Sequence, residues 1–252
     1  MRLAGLILAL LATAALTGCT SPVDASGSFA AWASGQQYVV SVDARAEPGA
    51  DGMSAHLVVD GAIDRQQLRE LAAGARDRAD ELGTPAARIN LIVGNAWGFS
   101  VDAEGTNAAV IGALRDQPSV VAATLEYEPL GDEQAEHGLH GVVGSQAALR
   151  GANEALAAAI LDNGGSVDDL PIEAGTADGA FSIVGVGVEQ PLAALELWQA
   201  ISGRVVLTGA RAALAPDGSE ELDVSVGSPA DEAAAKAIGA GFDKVELTVT
   251  AL

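Results

Sequence analysis

From residue 38 onward the chain switches repeatedly between two hydrophobic periods. Residues 38–46 and 54–60 alternate with period two and predict strands, separated by the turn-rich Glu47-Pro48-Gly49-Ala50-Asp51-Gly52. Residues 64–82 change to the helical period: Leu68, Leu71, Ala72, Ala75, Ala79 and Leu82 fall on one face. Asp64 is placed to cap that helix with Gln67 three residues on, and Gly83 stops it. Residues 88–94 and 97–102 predict a strand pair turning at Asn95-Ala96. A helix over 106–116 follows, with Ala109, Val110, Ala113 and Leu114 inward, and then a strand over 120–127.

A similar order returns later. Residues 181–188 predict a strand, 191–201 a helix with Pro191 at its first position, and 204–210 and 222–226 two strands. Ser228-Pro229 opens another helix, and 244–250 alternates as a final strand. Each half reads βαββαβ, with 106–114 opposite 229–238, Ser100 opposite Ser225 and Thr124 opposite Thr248, at low identity between the copies. The expectation is an α+β protein of two tandem ferredoxin-like (βαββαβ) domains, 37–128 and 166–252. Residues 38–46 and 171–175 would be extra strands. Between the halves, 129–165 reads as a Gly-rich acidic loop over 129–144 and then a long amphipathic connecting helix over 145–162. Ala148, Leu149, Ala152, Ala155, Leu156, Ala159 and Ile160 form its apolar stripe, while Gln146, Arg150, Asn153 and Glu154 are expected to face away.

Ahead of all this, Met1-Arg2 and an apolar run over 3–15 lead into Leu16-Thr17-Gly18-Cys19. The stretch resembles a bacterial lipoprotein signal with its Leu-x-Gly-Cys lipobox. That resemblance implies diacylglycerol in thioether linkage on Cys19, cleavage of residues 1–18, acylation of the new amine with a chain such as palmitate, and an extracytoplasmic protein anchored to the bacterial cell membrane by lipid. A membrane-spanning helix would need about 20 apolar residues, and this run is cut off by Gly18 and followed by Thr20-Ser21-Pro22. Residues 19–36, rich in small and polar types, read as a flexible tether on which Phe29 and Trp32 can dock one turn. No core residue before 36 is expected apart from Trp32.

Composition sharpens the picture. Hydrophobic residues make up 49% of the chain but aromatic ones only 4%, so the core must be built from Val, Leu, Ile and Ala. The formal net charge is −21, and it becomes one unit more negative when Arg2 leaves with the signal. Such a chain repels nucleic acid and anionic lipid head groups, so attachment to a membrane would rest on the acyl chains. Cys19 is the only cysteine, which leaves no thiol for a disulfide, a zinc cluster or a nucleophile.

Residues 190–252 resemble a BON domain, an envelope module of order αββαβ, through Arg204-Val205-Val206-Leu207-Thr208-Gly209, the helix that follows and residues 245–249. The resemblance implies a phospholipid or envelope-surface role without catalysis.

Two groups of side chains could carry chemistry. In the run 132–140, His137 and His140 lie three apart and could share a metal ion with Glu136 or Glu133. On the sheet, alternation sends His56, Arg88, Asn90, Ser100, Thr124 and Glu126 to the face away from the helices, and Thr208, Ser225 and Thr248 likewise in the second half. Such a face could bind a polar ligand or a partner. No Gly-x-Ser-x-Gly elbow occurs, and Gly185-Val186-Gly187 lacks the third glycine of a dinucleotide loop. Trp97, Phe99 and Trp198 are expected in the core. The reading is therefore a non-enzymatic, cofactor-free binding or scaffolding lipoprotein whose partner is an envelope protein or polar ligand. The alternative is a lipoprotein that binds a small ligand or metal ion with an interdomain cleft and the His137/His140 loop.

Overall fold

In the computed structural model, which describes residues 22–47, 52–126, 138–215 and 217–252, the two hydrophobic periods sort into a repeating order of two strands and a helix. The strands are β1 (Val39–Ala46), β2 (Met53–Val59), β3 (Arg88–Val93), β4 (Trp97–Ser100), β5 (Val120–Leu125), β6 (Leu139–Val143), β7 (Pro171–Thr176), β8 (Phe181–Val186), β9 (Leu207–Leu214), β10 (Glu220–Val226) and β11 (Val245–Ala251). The helices α2 (Arg65–Glu81), α3 (Thr106–Arg115), α4 (Leu149–Asp162), α5 (Leu192–Ser202) and α6 (Pro229–Gly239) follow every second strand, and α1 (Pro22–Ser34) precedes them all. Every strand is hydrogen-bonded to its neighbours in sequence, giving one eleven-stranded mixed sheet in the order β1 to β11. Pairing is antiparallel within each hairpin and parallel across each helix.

This overturns the expected pair of tandem ferredoxin-like domains. Where the boundary was placed, β5 and β6 pair antiparallel, with one register shift between Val120 and Ala122 and Thr124 opposite His140. The helix expected to connect two domains is instead the crossover from β6 to β7. A split βαβ unit passes its helix over an intervening strand, whereas here each crossover lands on the adjacent strand. Both topologies share the same order of strands and helices, so periodicity alone does not separate them. β6 itself, Leu139-His140-Gly141-Val142-Val143, lies inside the stretch 129–144 expected as a Gly-rich acidic loop. Its glycine has a steric reason: a Cβ on Gly141 would stand 2.7 Å from Leu156 Cδ1 of α4.

The helices share one face. Gly141, which meets α4, is linked in register through Ala174, Ile183, Ala212 and Leu222 to Leu247, which meets Gly239 of α6. On that side Leu57, Leu91, Phe99, Leu125, Leu139 and Ile172 sit side by side from β2 to β7, all buried. Each such side chain taken from water contributes about 1.5–3 kcal/mol. α2 closes over the β3 part of this row with Leu68, Leu71, Ala72, Ala75 and Ala79, while α3 packs on β4 and β5 and α4 on β6 to β8; the start of α2 is fixed by a reciprocal cap. Asp64 Oδ1 accepts from the Gln67 amide at 2.8 Å, and Gln67 Oε1 accepts from the Asp64 amide at 3.1 Å.

Two further expectations change. Residues 22–34, read as tether, form α1, whose Ala25, Phe29 and Ala33 recur every fourth position and are fully buried against β1 and β2. The core therefore begins before residue 36. Asn153, expected to face away, is 3% exposed, and its Nδ2 donates to the Ile172 carbonyl at 2.9 Å. α4 lies across β6, β7 and β8, so its buried face is wider than its apolar stripe. Among the described residues no helix is long and apolar enough to cross a membrane.

Candidate functional site

The other face of the sheet collects the polar half of each alternating strand. On β1–β4, Asp43, His56, Asn90 and Ser100 are register neighbours in one row. His56 Nε2 lies 3.1 Å from Asn90 Nδ2, and Ser100 Oγ lies 2.6 Å from Asn90 Oδ1. Ser100 Oγ also meets the Glu126 carbonyl, while Asn107 Nδ2 holds the Ser100 carbonyl at 2.9 Å. Asn90 is 1% exposed, so its amide is satisfied by protein groups and is rigidly placed. The Arg45 side chain bonded to Asp43 holds that carboxyl below its ordinary range, and the charge of His56 adds to the effect.

Asp, His and Ser in one row invite comparison with a nucleophilic triad, but the connectivity differs. A triad places the imidazole on the serine hydroxyl, and here the Asn90 amide stands between them. Ser100 has one hydrogen and two oxygen neighbours. If it donates to Asn90, Nδ2 faces His56 and Nε2 accepts; if it donates to Glu126, the amide turns and Nε2 donates. The His56 tautomer and the Asn90 orientation are thus coupled, which suits a relay of hydrogen bonds rather than base-assisted attack.

A second cluster lies in the middle of the sheet. Thr124, His140 and Glu173 are register neighbours on β5, β6 and β7. His140 Nδ1 is 3.3 Å from Glu173 Oε2, with both side chains about a third exposed. Glu173 is held below the ordinary carboxylate range, first by the bond from His140 and then by one from Ser182, with the Arg211 charge nearby, all against the opposing effect of burial. Ser182 is the register partner of Arg211.

The expected site residues therefore separate. His56, Asn90 and Ser100 are joined, and Thr124 and His140 are adjacent. Arg88 stands at the rim, where its Nε donates to Glu47 Oε1 at 2.8 Å and Ser54 meets the same oxygen. Ser225 and Thr248 lie on β10 and β11. Eight strand spacings, roughly 38 Å at about 4.8 Å each, separate β10 from β2. Thr208 is the extra residue of a bulge, since Gly209 pairs with Ser225 and Leu207 with Val226. Cys19, Glu133, Glu136 and His137 lie outside the described residues. Among the described residues no group of three or more His, Cys, Asp or Glu could hold a metal. The interdomain cleft of the alternative reading does not exist, because the sheet is continuous across the expected boundary.

Sequence reasoning missed Asp43, Glu173, Ser182 and Arg211. Glu173 went unassigned because residues 171–175 were read only as an extra strand without a face, and Arg211 was read beyond the end of its strand; the alternation of Ile172 and Ala174 around Glu173 was the available signal. Phe99 is fully buried and Trp198 is 7% exposed, stacked on Phe181 at 6.0 Å. On the helix side a groove of about 580 Å³ is lined by Arg65, Arg69, Glu70 and Glu104, all exposed and of mixed sign, with no convergent buried group. Comparison of the chain with protein-family models, curated proteins and solved structures returns no match.

Proposed function

We propose that this chain is a lipid-anchored, extracytoplasmic protein of the bacterial cell envelope that acts by non-enzymatic binding or scaffolding, offering the polar face of its sheet to an envelope protein or a polar ligand. The observation that carries the binding reading is the pair of polar clusters on one face of the sheet, His56, Asn90 and Ser100 joined by hydrogen bonds beside Asp43, and His140 paired with Glu173. Rigid strands and mutual hydrogen bonds hold those groups in place, as a recognition surface requires. The face carries both signs of charge and many hydroxyls and amides, so a partner would be read by hydrogen bonds. The address rests on Leu16-Thr17-Gly18-Cys19, and the resemblance of residues 190–252 to a BON domain supports an envelope-surface role.

Two measurements test the two parts. Cys19→Ala should leave uncleaved precursor or released protein after a carbonate wash of membranes, and equal retention of the variant would remove the anchor. Chemical crosslinking in intact envelopes should recover a partner with the wild-type chain. Recovery should fall about tenfold or more when His140→Ala, Glu173→Gln and Arg211→Ala are combined, in line with the loss of a few charge-assisted bonds. Undiminished recovery would sink the assignment of that face.

A further inference from the structure

The two ends of the sheet are finished differently. At the β1 end the strand is bulged between Val39 and Ser41, carries the Asp43–Arg45 ion pair, and is packed by α1. Bulges, edge charges and covering helices are the usual devices that keep a strand edge from pairing with another chain. At the β11 end the bulge is missing, and what remains is the single charge of Glu246 on the strand and α6 packed on one face. β11 pairs with β10 over seven residues without a break, contains no proline, and has no strand beside its outer edge among the described residues.

The hydrogen-bond parity of that edge can be read directly. The Leu252 amide donates to the Val226 carbonyl at 3.0 Å, and Val226 is the register partner of Ala251. In a parallel ladder this means that Thr248, Thr250 and Leu252 address β10, while Val245, Leu247, Val249 and Ala251 direct N–H and C=O outward. The core is also unfinished at this end. Leu247, Ala251, Ile238 and Phe242 are only half-buried against it, whereas Leu222, Val224 and Val226 one strand inward are buried.

We propose that β11 pairs antiparallel with β11 of a second copy of this chain, about a twofold axis through Thr248, so that the two sheets join edge to edge into one. This register places Val245 opposite Ala251 and Leu247 opposite Val249, so all four outward-directed residues form hydrogen-bonded pairs. A shift of one residue would set outward groups against inward ones and is excluded by parity. Thr248 meets its own copy, and Glu246 meets Thr250 rather than another carboxylate, which avoids like charges directly opposite. The half-buried side chains on the helix side of β11 then lie against their counterparts. Each copy carries a formal charge of −21, but at physiological salt that repulsion is screened beyond about 8 Å.

The test uses the full-length chain in mild detergent. The wild-type chain should sediment with the mass of two copies at micromolar concentration. In a Cys19→Ser background, Thr248→Cys should give a disulfide-linked dimer on mild oxidation. A non-hydrogen-bonded antiparallel pair brings the two Cα atoms to about 4.5 Å, within disulfide range. Thr250→Cys alone should not crosslink, because its two copies are offset by four residues, roughly 13 Å. Thr250→Glu, which sets a carboxylate opposite Glu246 of the second copy, should weaken association about tenfold, and adding Glu246→Lys should restore it. Thr248 and Thr250 are exposed, so these changes leave the core intact. A single-copy mass for the wild-type chain, or equal crosslinking of the two cysteine variants, would overturn the proposal.

Discussion

At the scale of single residues, Glu173 makes the polar face measurable. Its carboxyl is depressed by bonds from His140 and Ser182, so the ionised form is favoured by folding. A depressed carboxyl contributes stability that is present above the unfolded value, about 4.3 for Glu, and lost as pH falls through the folded value. Because the pair is about a third exposed, the contribution is about 1 kcal/mol or less. His140 adds its own charge only when protonated. Urea midpoints of the wild-type chain and Glu173→Gln, measured from neutral pH downward, should differ above about pH 5 and converge as the carboxyl protonates. A constant separation across the series would mean that Glu173 acts through packing and not through charge.

At the scale of elements, β6 decides the topology, and Gly141 permits β6. With Leu156 fully buried, a methyl group 2.7 Å from Leu156 Cδ1 and 2.8 Å from Cδ2 has nowhere to push it. Gly141→Ala should therefore destabilise by about 1–3 kcal/mol, and Leu156→Ala by about 2–5 kcal/mol through its cavity. The double variant should lose clearly less than the sum, since each change relieves the other; additive denaturation midpoints would remove the claimed contact. The same strand shows what the sequence could tell. Helix periods were readable where caps and stripes coincide, as at Asp64 and Gln67 on α2. They were not readable in α1, where Ser26, Gly27 and Ser28 dilute the spacing of Ala25, Phe29 and Ala33. Alternation identified the face that carries His56, Asn90 and Ser100, because it needs only the strand itself. Strand order needs to know which edge each crossover meets, and that depends on contacts such as Gly141 with Leu156 that lie far apart in the chain.

At the scale of the whole molecule, the sheet is a line of units in which each hairpin and helix touches mainly the next: α2 packs on α3, α3 on α4, and α5 on α6. Stability in such arrays is close to a sum over units and their interfaces, so it should vary along the line. α2 buries five side chains in its own length, whereas α6 buries only Ala235 and leaves Ala233, Ala234 and Ala237 exposed. The α6 end is thus held by β10, β11 and the half-buried Ile238 and Phe242. Local opening there exposes little apolar surface and should have both a low free energy and a weak dependence on denaturant. Native-state amide exchange should show α6 exchanging about tenfold or more faster than the buried face of α2, with β3 to β7 opening only with the whole sheet. In the same experiment, Leu247 and Val249 amides that slow as protein concentration rises would report the edge pairing through β11. Equal protection and equal denaturant slopes from α2 to α6 would instead show that the eleven strands unfold as one cooperative body.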